Sequence, residues 1–337
     1  MIQEAIKKLI VGSNLLEQEA IDSMNMIMEG NATPAQIGSF ITALRIKGET
    51  VEEITGCARV MRDKADRFES QLDYFIDIVG TGGDGSNSFN ISTASAIVTA
   101  AAGIPVAKHG NRSISSLTGS ADVLEALGVN IMLTSEQAKK CLEDINICFM
   151  FAPVFHKSMK YAAGPRKEIG IRTIFNVLGP LTNPAGAKGQ VMGVYDGKLT
   201  EILAKVLLKL GIERAMVVHG MDGMDEITTT TSTLVSEVKD GKVLSYEIKP
   251  EDFGIRACSK KDLEGGDAKV NSEIIVSMLN GEKGPKRDIV MLNSAAALYV
   301  GKKVNSLIDG IELASELIDT GKASKKLDEL VSYTTEL

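Results

Sequence analysis

Apolar and polar positions in the first 67 residues recur with the period of amphipathic helices. We predict four helices there, over residues 2–10, 17–29, 34–47 and 51–66. The segments Thr33-Pro34-Ala35-Gln36 and Thr50-Val51-Glu52-Glu53 have the spacing of a capping box, which opens a helix. The apolar face from Ile37 to Leu44 is larger than four short helices bury among themselves, so we expect a second chain to cover the remainder.

After residue 72 the pattern changes to short apolar runs that alternate with helical segments, which is typical of a mostly parallel sheet. We predict strands at residues 73–79, 104–107, 130–133, 147–151, 189–195 and 214–219. Residues 231–238 and 242–248 alternate on either side of Asp240-Gly241, a hairpin signal. Helices follow, at 271–281, 290–301 and 305–320.

These patterns predict an α/β fold in two domains. Residues 1–67 form a small N-terminal helical domain, and residues 68–337 form a large α/β domain with a mostly parallel central sheet. We expect the segment of about 165–185 to pack with the helical domain.

A glycine-rich turn, Gly80-Thr81-Gly82-Gly83-Asp84-Gly85, lies between the first strand and an alanine-rich helix that begins near Ser92. Glycines let backbone N–H groups approach a ligand, and the start of the helix adds unpaired N–H groups, so this turn suits phosphate. The spacing also matches the dinucleotide fingerprint, which requires an acidic residue about 20 positions later. Lys108, His109 and Arg112 stand there instead, which favours a phosphate ester, although an NADP-dependent dehydrogenase stays open.

Two further segments carry candidate chemistry. The strand at 214–219 releases a loop with Asp222, Asp225 and Glu226, and such carboxylates at the end of a strand suit Mg²⁺. Between residues 151 and 184, two Gly/Pro-rich breaks flank a basic helix that contains Arg166, a residue able to bind a carboxylate.

Composition narrows the class of protein. A formal net charge of −7, 4% aromatic residues and no tryptophan argue against a nucleic-acid partner. Four scattered cysteines and an N-terminus without an apolar signal region indicate a cytoplasmic protein with reduced thiols. No apolar stretch is long enough for a membrane span of about 20 residues, so no membrane partner is expected.

Taken together, the segments GTGGDGSNSFNIST, KHGNR, GSADVLEALG, RTIFNVLGPLTNP, MDEI, DLEGGDAKVNSEII and LNSAAALY resemble the signature runs of the anthranilate phosphoribosyltransferases of tryptophan biosynthesis, in the same order. The resemblance implies the nucleoside phosphorylase-like fold, a homodimer formed through the helical domain, and transfer of a phosphoribosyl group to the amino group of anthranilate. It also implies Mg²⁺, at two ions per subunit.

The resemblance assigns site residues as well. Those around 5-phosphoribosyl-1-pyrophosphate are Gly80, Gly83, Asp84, Ser88, Asn90, Ser92, Thr93, Lys108, Ser116 and Ser120. Ile91, Gly110, Arg112 and Ser113 lie in the same motifs and are included among the substrate-binding residues. Asn111, Arg166, His109 and Gly80 line the anthranilate side, and Ser92, Asp225 and Glu226 hold Mg²⁺. No residue is assigned an obligatory catalytic role, and His109 is a candidate proton acceptor.

Besides the dehydrogenase, two alternatives remain at this point. A pyrimidine nucleoside phosphorylase would share the fold and the glycine loop, but Asp225-Glu226 and the 176–184 run argue against it. A non-catalytic, nucleic-acid-binding member of the family is opposed by the acidic charge and by the retained Lys108 and Arg166.

Overall fold

Four helices form the N-terminal part of the chain in the computed structural model, which describes residues 1–113 and 117–337. They are α1 (Ile2–Ile10), α2 (Glu17–Met28), α3 (Pro34–Lys47) and α4 (Val51–Asp63). The predicted helices and both capping boxes are confirmed. At the start of α3, for example, Gln36 N donates to Thr33 Oγ1 over 3.3 Å and Thr33 N donates to Gln36 Oε1 over 2.9 Å.

A seven-stranded sheet forms the centre of the rest of the molecule. Its strands are β1 (Ile76–Gly80), β2 (Val106–Gly110), β3 (Ile147–Phe151), β4 (Gly189–Gly193), β5 (Arg214–Gly220), β6 (Thr233–Lys239) and β7 (Lys242–Ile248). The order is β3-β2-β1-β4-β5-β6-β7. The first five strands in this order are parallel, and β6 and β7 are antiparallel additions at one edge. The predicted hairpin is confirmed, with Asp240 and Gly241 at φ of 51° and 72° in its turn.

Helices cover the sheet and continue to the C-terminus. They are α5 (Ile91–Ala101), α6 (Ser120–Ala126), α7 (Ser135–Ile145), α8 (Ala152–Phe155), α9 (Lys160–Ile169), α10 (Phe175–Leu181), α11 (Leu199–Lys209), α12 (Ala268–Leu279), α13 (Pro285–Val300), α14 (Leu307–Asp319) and α15 (Lys322–Glu336). Short 3₁₀ turns lie at Lys157–Met159, Pro250–Phe253 and Lys260–Leu263.

The strand predicted at 130–133 is wrong. Ile131 and Leu133 are buried, as an apolar run requires, but the segment pairs with side chains and not with the sheet. Asn130 N donates to Thr334 Oγ1 over 3.2 Å, and Met132 N donates to Asn130 Oδ1 over 3.0 Å. Burial alone therefore produced the apolar signal here, because an extended loop under α15 buries the same residue types as a strand.

The Gly/Pro-rich breaks predicted around the basic helix are also wrong. Gly164-Pro165 lies inside α9, and Gly179-Pro180 lies inside α10. Each proline removes one N–H from the helix, and packing of the buried Pro165 and Pro180 rings offsets that loss.

Two hydrophobic clusters hold the molecule together. One lies between the sheet and helices such as α5, α13 and α15. The other is continuous from α1–α4 through α9 and α10 to α11 and the facing side of β4 and β5. Arg62 in α4 adds polar contacts, since its Nε donates to the Leu181 carbonyl over 2.6 Å. The helical bundle is thus packed onto the α/β part by a shared core.

All four cysteines are free, and three of them are buried. In the described parts of the chain, no helix combines the length and the apolar character that crossing a membrane requires.

Candidate active site

The glycine-rich loop lies where the strand order reverses. From β1 the chain adds β2 and β3 on one side and then places β4 and β5 on the other, so the crevice between β1 and β4 is a topological switch point, where open α/β sheets bind ligands. Gly82, Gly83 and Gly85 have φ of 65°, 73° and 72°, which L side chains rarely adopt. Thr81 N donates to the Gly193 carbonyl over 3.0 Å, which anchors the loop to the end of β4.

The acidic loop after β5 meets this glycine loop. Asp225 Oδ2 accepts from Gly82 N over 2.7 Å. A Cβ on Gly80 would lie 2.4 Å from Asp225 Oδ2, and one on Gly193 would lie 1.5 Å from the Asp225 carbonyl oxygen. Glycine at the ends of β1 and β4 therefore makes room for Asp225.

Glu226 faces other neighbours. Its carboxylate accepts from Ser92 N in the first turn of α5, and the Lys108 charge acts on it. Burial raises the pKa of Glu226 well above its usual value, and Asp225 adds to that shift. Burial likewise raises the pKa of Asp225 to about 7, with Asp84 as the second cause. The protein thus brings carboxylates together without fully balancing their charge.

Lys108 is a buried cation whose charge acts on this pair. It is 4% exposed, and its Nζ donates to the Ile78 carbonyl over 2.5 Å and to Ser92 Oγ over 3.3 Å. Burial lowers the pKa of Lys108, while the charges of Asp77, Glu226 and Asp225 act in the opposite direction. The predicted residues Ser92, Lys108, Asp225 and Glu226 are therefore brought into one cluster.

A cation fits this cluster on the chemistry of its donors. Two carboxylates and the Ser92 hydroxyl are the oxygen ligands that Mg²⁺ prefers. Bound positive charge would counteract the burial and the neighbouring negative charges that raise both carboxylate pKa values. Within residues 1–113 and 117–337, no group of three or more His, Cys, Asp or Glu side chains forms a metal cluster. Further ligands would then come from water or from phosphate oxygens, as is usual for Mg²⁺.

The rest of the first predicted motif has mixed roles. Asn90 Nδ2 donates to the Thr118 carbonyl over 3.3 Å. Ser88 forms an antiparallel bridge with Glu264. The side chain of Ile91 is buried in the core, and its N–H donates to Phe89, so it offers a ligand no polar side chain. The Thr93 hydroxyl is buried and has no partner among the described residues.

His109 and His156 form a buried pair with ring centroids 5.0 Å apart. Burial lowers the pKa of His109 well below its usual value and that of His156 to about 4, so both rings are neutral near pH 7. The carbonyls of Gly179 and Thr182 accept from these rings. Each Nε2 is buried without a partner in the described part of the chain, which leaves two hydrogen-bonding atoms available.

The loop after β2 contains the other basic motif. A Cβ on Gly110 would lie 2.2 Å from Ser120 Oγ, so the two chain segments touch there. Ser113 N donates to Asp122 Oδ2 over 3.3 Å, and the Asn111 carbonyl accepts from Ser120 Oγ over 3.3 Å. The predicted substrate contact Ser116 lies outside the described residues.

Arg112 differs from the other cations of the site. Its Nη1 donates to Asp122 over 2.7 Å and to Glu125 over 2.9 Å, so α6 already supplies its counter-charges. The guanidinium of Arg112 therefore forms ion pairs with α6 and does not point to the glycine loop, where it was expected to bind substrate.

Arg166 lies on α9, on the helical-bundle side, with its guanidinium 4.9 Å from the centre of the Phe175 ring. Burial lowers the pKa of Arg166. No carboxylate lies within ion-pair distance of it in the described residues, so this half-buried cation has no protein counter-ion there.

Sequence reasoning missed four residues that touch the site. Arg172 Nη2 donates to the Gly83 carbonyl, and its guanidinium lies 4.3 Å from the centre of the Tyr195 ring. Asp77, Asn183 and Asn271 are buried and hydrogen-bond to site segments. Arg172, Asn183 and Asn271 stand inside runs already singled out, and Asp77 is a charge within an apolar strand, which is itself a signal.

Comparison with known proteins agrees with this architecture. Residues 3–65 match the family described as "Glycosyl transferase family, helical bundle domain", and residues 72–324 match "Glycosyl transferase family, a/b domain". An anthranilate phosphoribosyltransferase of Acetivibrio thermocellus is 68% identical over 99% of this chain and 97% of its own length. One from Thermoanaerobacter is 60% identical over 100% of both chains.

Solved structures match as well. The anthranilate phosphoribosyltransferase of Thermus thermophilus superposes with a TM-score of 0.93 at 41% identity, covering 98% of this chain and 99% of its own. The Saccharomyces cerevisiae enzyme, in complex with PRPP and Mg, has a TM-score of 0.91 at 28% identity, covering 100% of this chain and 98% of its own. This chain belongs to the anthranilate phosphoribosyltransferase family.

Proposed function

We propose that this chain transfers the 5-phosphoribosyl group of 5-phosphoribosyl-1-pyrophosphate to the amino group of anthranilate. The products are N-(5-phosphoribosyl)anthranilate and pyrophosphate, and the reaction belongs to L-tryptophan biosynthesis. One observation carries the proposal: Asp225 and Glu226 meet the glycine loop, Ser92 and Lys108 at the switch point of the sheet. Groups that can bind phosphate and groups that can bind a cation therefore lie together at one place in the fold.

Backbone N–H groups and a buried positive charge bind the phosphoribosyl donor, 5-phosphoribosyl-1-pyrophosphate. Gly83 and Gly85, both left-handed, offer backbone N–H groups, whereas the N–H of Gly82 is held by Asp225. The first turn of α5 adds the positive end of a helix dipole. Lys108 adds a buried cation beside Ser92. The same residues bind the leaving pyrophosphate, so charge that develops on it is met by groups already in place.

The protein's contribution to the chemical step is mainly orientation. The anthranilate nitrogen forms a bond to C1 of the ribose as the bond from C1 to pyrophosphate breaks, and the nitrogen then loses a proton. We place the acceptor beside Asn111, His109 and Arg166, with Arg166 facing its carboxylate. The half-buried guanidinium, which has no carboxylate partner among the described residues, supports that assignment. The buried Nε2 of the neutral His109 is a candidate acceptor for the proton.

Mg²⁺ is the cation we assign to Ser92, Asp225 and Glu226. When bound, it neutralises charge on the pyrophosphate as the bond to C1 breaks. We propose two ions per subunit, because Asp225 and Glu226 face different neighbours. Asp225 contacts Gly82 and Asp84, whereas Glu226 accepts from Ser92 N and is influenced by the charge of Lys108.

We further propose a homodimer through the helical domain, residues 1–67, and a cytoplasmic location. The apolar face named in the sequence analysis does not need a partner, since Ile37, Phe40, Ile41 and Leu44 are buried within the chain itself. The bundle instead exposes large apolar side chains at Ile10, Val11, Leu16 and Ile46, which supports a covering partner. A location beside other enzymes of amino-acid biosynthesis fits the reaction.

The test is the loss of anthranilate fluorescence when purified protein is mixed with anthranilate, 5-phosphoribosyl-1-pyrophosphate and Mg²⁺. We expect metal-dependent loss with stoichiometric release of pyrophosphate. Controls omit the metal or add EDTA. No loss with folded protein would refute the proposal, and phosphorolysis of pyrimidine nucleosides would then be assayed.

A further inference from the structure

The segment from Leu263 to Asn271 lies against residues 87–90, which connect the glycine loop to α5. Phe89 N donates to the Leu263 carbonyl over 3.3 Å, and Gly265 N donates to the Asn87 carbonyl over 2.9 Å. Ser88 and Glu264 pair as an antiparallel bridge between these two bonds. Residues 87–89 are therefore held by a short antiparallel pairing with residues 263–265, which is separate from the central sheet.

Contact between the two segments is close because Gly265 has no side chain. A Cβ there would lie 2.7 Å from Phe89 Cα and 2.5 Å from Asn271 Oδ1. Real Cβ atoms do not approach so closely, so any other residue at 265 would displace Phe89 or Asn271.

Asn271 links the segment at residues 263–266 to Asn90 through two hydrogen bonds. It is 1% exposed, and its Oδ1 accepts from Gly266 N over 2.7 Å. Gly266 N–H can only donate, so this bond fixes which end of the Asn271 amide is the oxygen. The Nδ2 of Asn271 must then donate to Asn90, whose Oδ1 lies 3.0 Å away.

The orientation of Asn90 follows from that bond. With its Oδ1 held by Asn271, Asn90 presents its NH₂ to the Thr118 carbonyl over 3.3 Å, and one amide hydrogen bond of this group remains for a ligand. Thr118 is itself tied to the same segment, since its Oγ1 donates to the Gly266 carbonyl over 2.9 Å.

We infer that Asn271 is a positioning residue for the phosphoribosyl donor, which sets Asn90 as a hydrogen-bond donor toward the bound anion and holds loop residues 87–90 in place. The inference rests on the proposed function. Arg166, which we assign to anthranilate, lies on α9, whereas Asn271 lies on α12. We therefore expect Asn271 to affect binding of the phosphoribosyl donor and not binding of anthranilate.

Asn271→Asp tests this directly, because the side chain keeps its shape and can still accept from Gly266 N. The change replaces the Nδ2 of residue 271, which donates to Asn90 Oδ1, with an oxygen that cannot donate. The two oxygens repel, so the Asn90 amide must rotate and turn its own oxygen toward the ligand. We expect the KM for 5-phosphoribosyl-1-pyrophosphate to rise about tenfold or more, with a matching rise in its calorimetric Kd. The KM for anthranilate should change less than twofold.

The matched control is Asn280→Asp at the exposed end of the same helix, where the side chain accepts from Ser324 Oγ and an aspartate can do the same. We expect wild-type constants for it. An unchanged donor KM in folded Asn271→Asp, or equal rises in the KM of both substrates, would overturn the inference. Thermal unfolding and circular dichroism establish that the variant is folded.

If Asn271→Asp does not fold, Thr118→Val decides, since it removes only the bond to the Gly266 carbonyl. A rise of about threefold or more in donor KM alone supports the inference, and no rise contradicts it. Wild-type protein is assayed in parallel. An inactive wild type would refute the proposed function and the inference with it, whereas an active wild type with unaffected variants refutes the inference alone.

Discussion

Asp225 and Glu226 are adjacent in the chain but face different parts of the site, the first toward the glycine loop and the second toward α5 and Lys108. Burial raises both carboxylate pKa values, and a neighbouring carboxylate adds to each shift, Asp84 for Asp225 and Asp225 for Glu226. A site that gathers negative charge in this way is suited to a cation, because the cation relieves the repulsion.

At the scale of the residue, we expect Asp225→Asn with Glu226→Gln to lower kcat about hundredfold and to change its dependence on Mg²⁺, since the two carboxylates assigned to Mg²⁺ lose their charge. Titration of activity with Mg²⁺ measures this. Asp196→Asn, an exposed change in the loop after β4, is the control. A double variant with the wild-type metal titration would contradict the assignment.

Arg166 provides a second test at this scale. Removing a half-buried guanidinium that pairs with a carboxylate costs a charged hydrogen bond, so Arg166→Ala should raise the KM for anthranilate about tenfold or more. The KM for the phosphoribosyl donor should stay near its wild-type value. Lys167→Ala, an exposed change on the same helix, serves as the comparison. Equal effects on both substrates would argue against the role.

At the scale of the element, Asp77 connects three segments under the site. Its Oδ1 accepts from His109 N over 3.2 Å, and its Oδ2 accepts from Asn183 Nδ2 over 2.8 Å. The same Asn183 amide donates to the Ala107 carbonyl over 2.8 Å. The ends of β1 and β2 and the loop after α10 are thus tied to one buried carboxylate.

Burial raises the pKa of Asp77 from 3.8 to about 6, against the opposing effect of Lys108. The native state therefore binds its proton more tightly than the unfolded state. The stability that results is present in full below the unfolded pKa and is lost as the pH rises through the folded one.

Asp77→Asn stays neutral at every pH. We expect the free energy of unfolding of the wild type to fall by about 2 kcal/mol relative to this variant between pH 4 and pH 7. Denaturant unfolding at several pH values measures it, with the exposed Asp73→Asn as control. Parallel pH curves for the wild type and Asp77→Asn would exclude the effect.

At the scale of the whole molecule, one hydrophobic cluster runs from the helical bundle into the sheet, so the two parts share a core on one side. The bundle still exposes apolar side chains elsewhere, Ile46 at 82% among them. Such side chains on a monomer favour association with a second chain.

Sedimentation should therefore give about twice the monomer mass of 36.0 kDa. Ile46→Glu should shift the equilibrium toward monomer, because it places a charge on the proposed interface. Leu244→Glu, on the edge strand β7 and outside the bundle, should leave the mass unchanged. A wild-type monomer at micromolar concentration would refute the dimer.

The sequence determined the elements and most of the candidate chemistry. Helix periodicity and capping boxes located α1–α4, and alternation around Asp240-Gly241 located the hairpin, because these signals are local. The signature segments, through their resemblance to a known family, also indicated the family and the glycine-rich, basic and acidic parts of the site. The site roles of individual residues remain predictions.

Tertiary structure decided which of these segments meet. Gly82 contacts Asp225 across 143 positions of sequence, and Asn90 contacts Asn271 across 181. Local periodicity carries no information about such pairs, and it could not tell the buried extended loop at 130–133 from a strand. Nor could it show that Arg112 is neutralised by α6 while Arg166 has no counter-ion in the described residues. These outcomes depend on side chains that only the folded chain brings within hydrogen-bond distance.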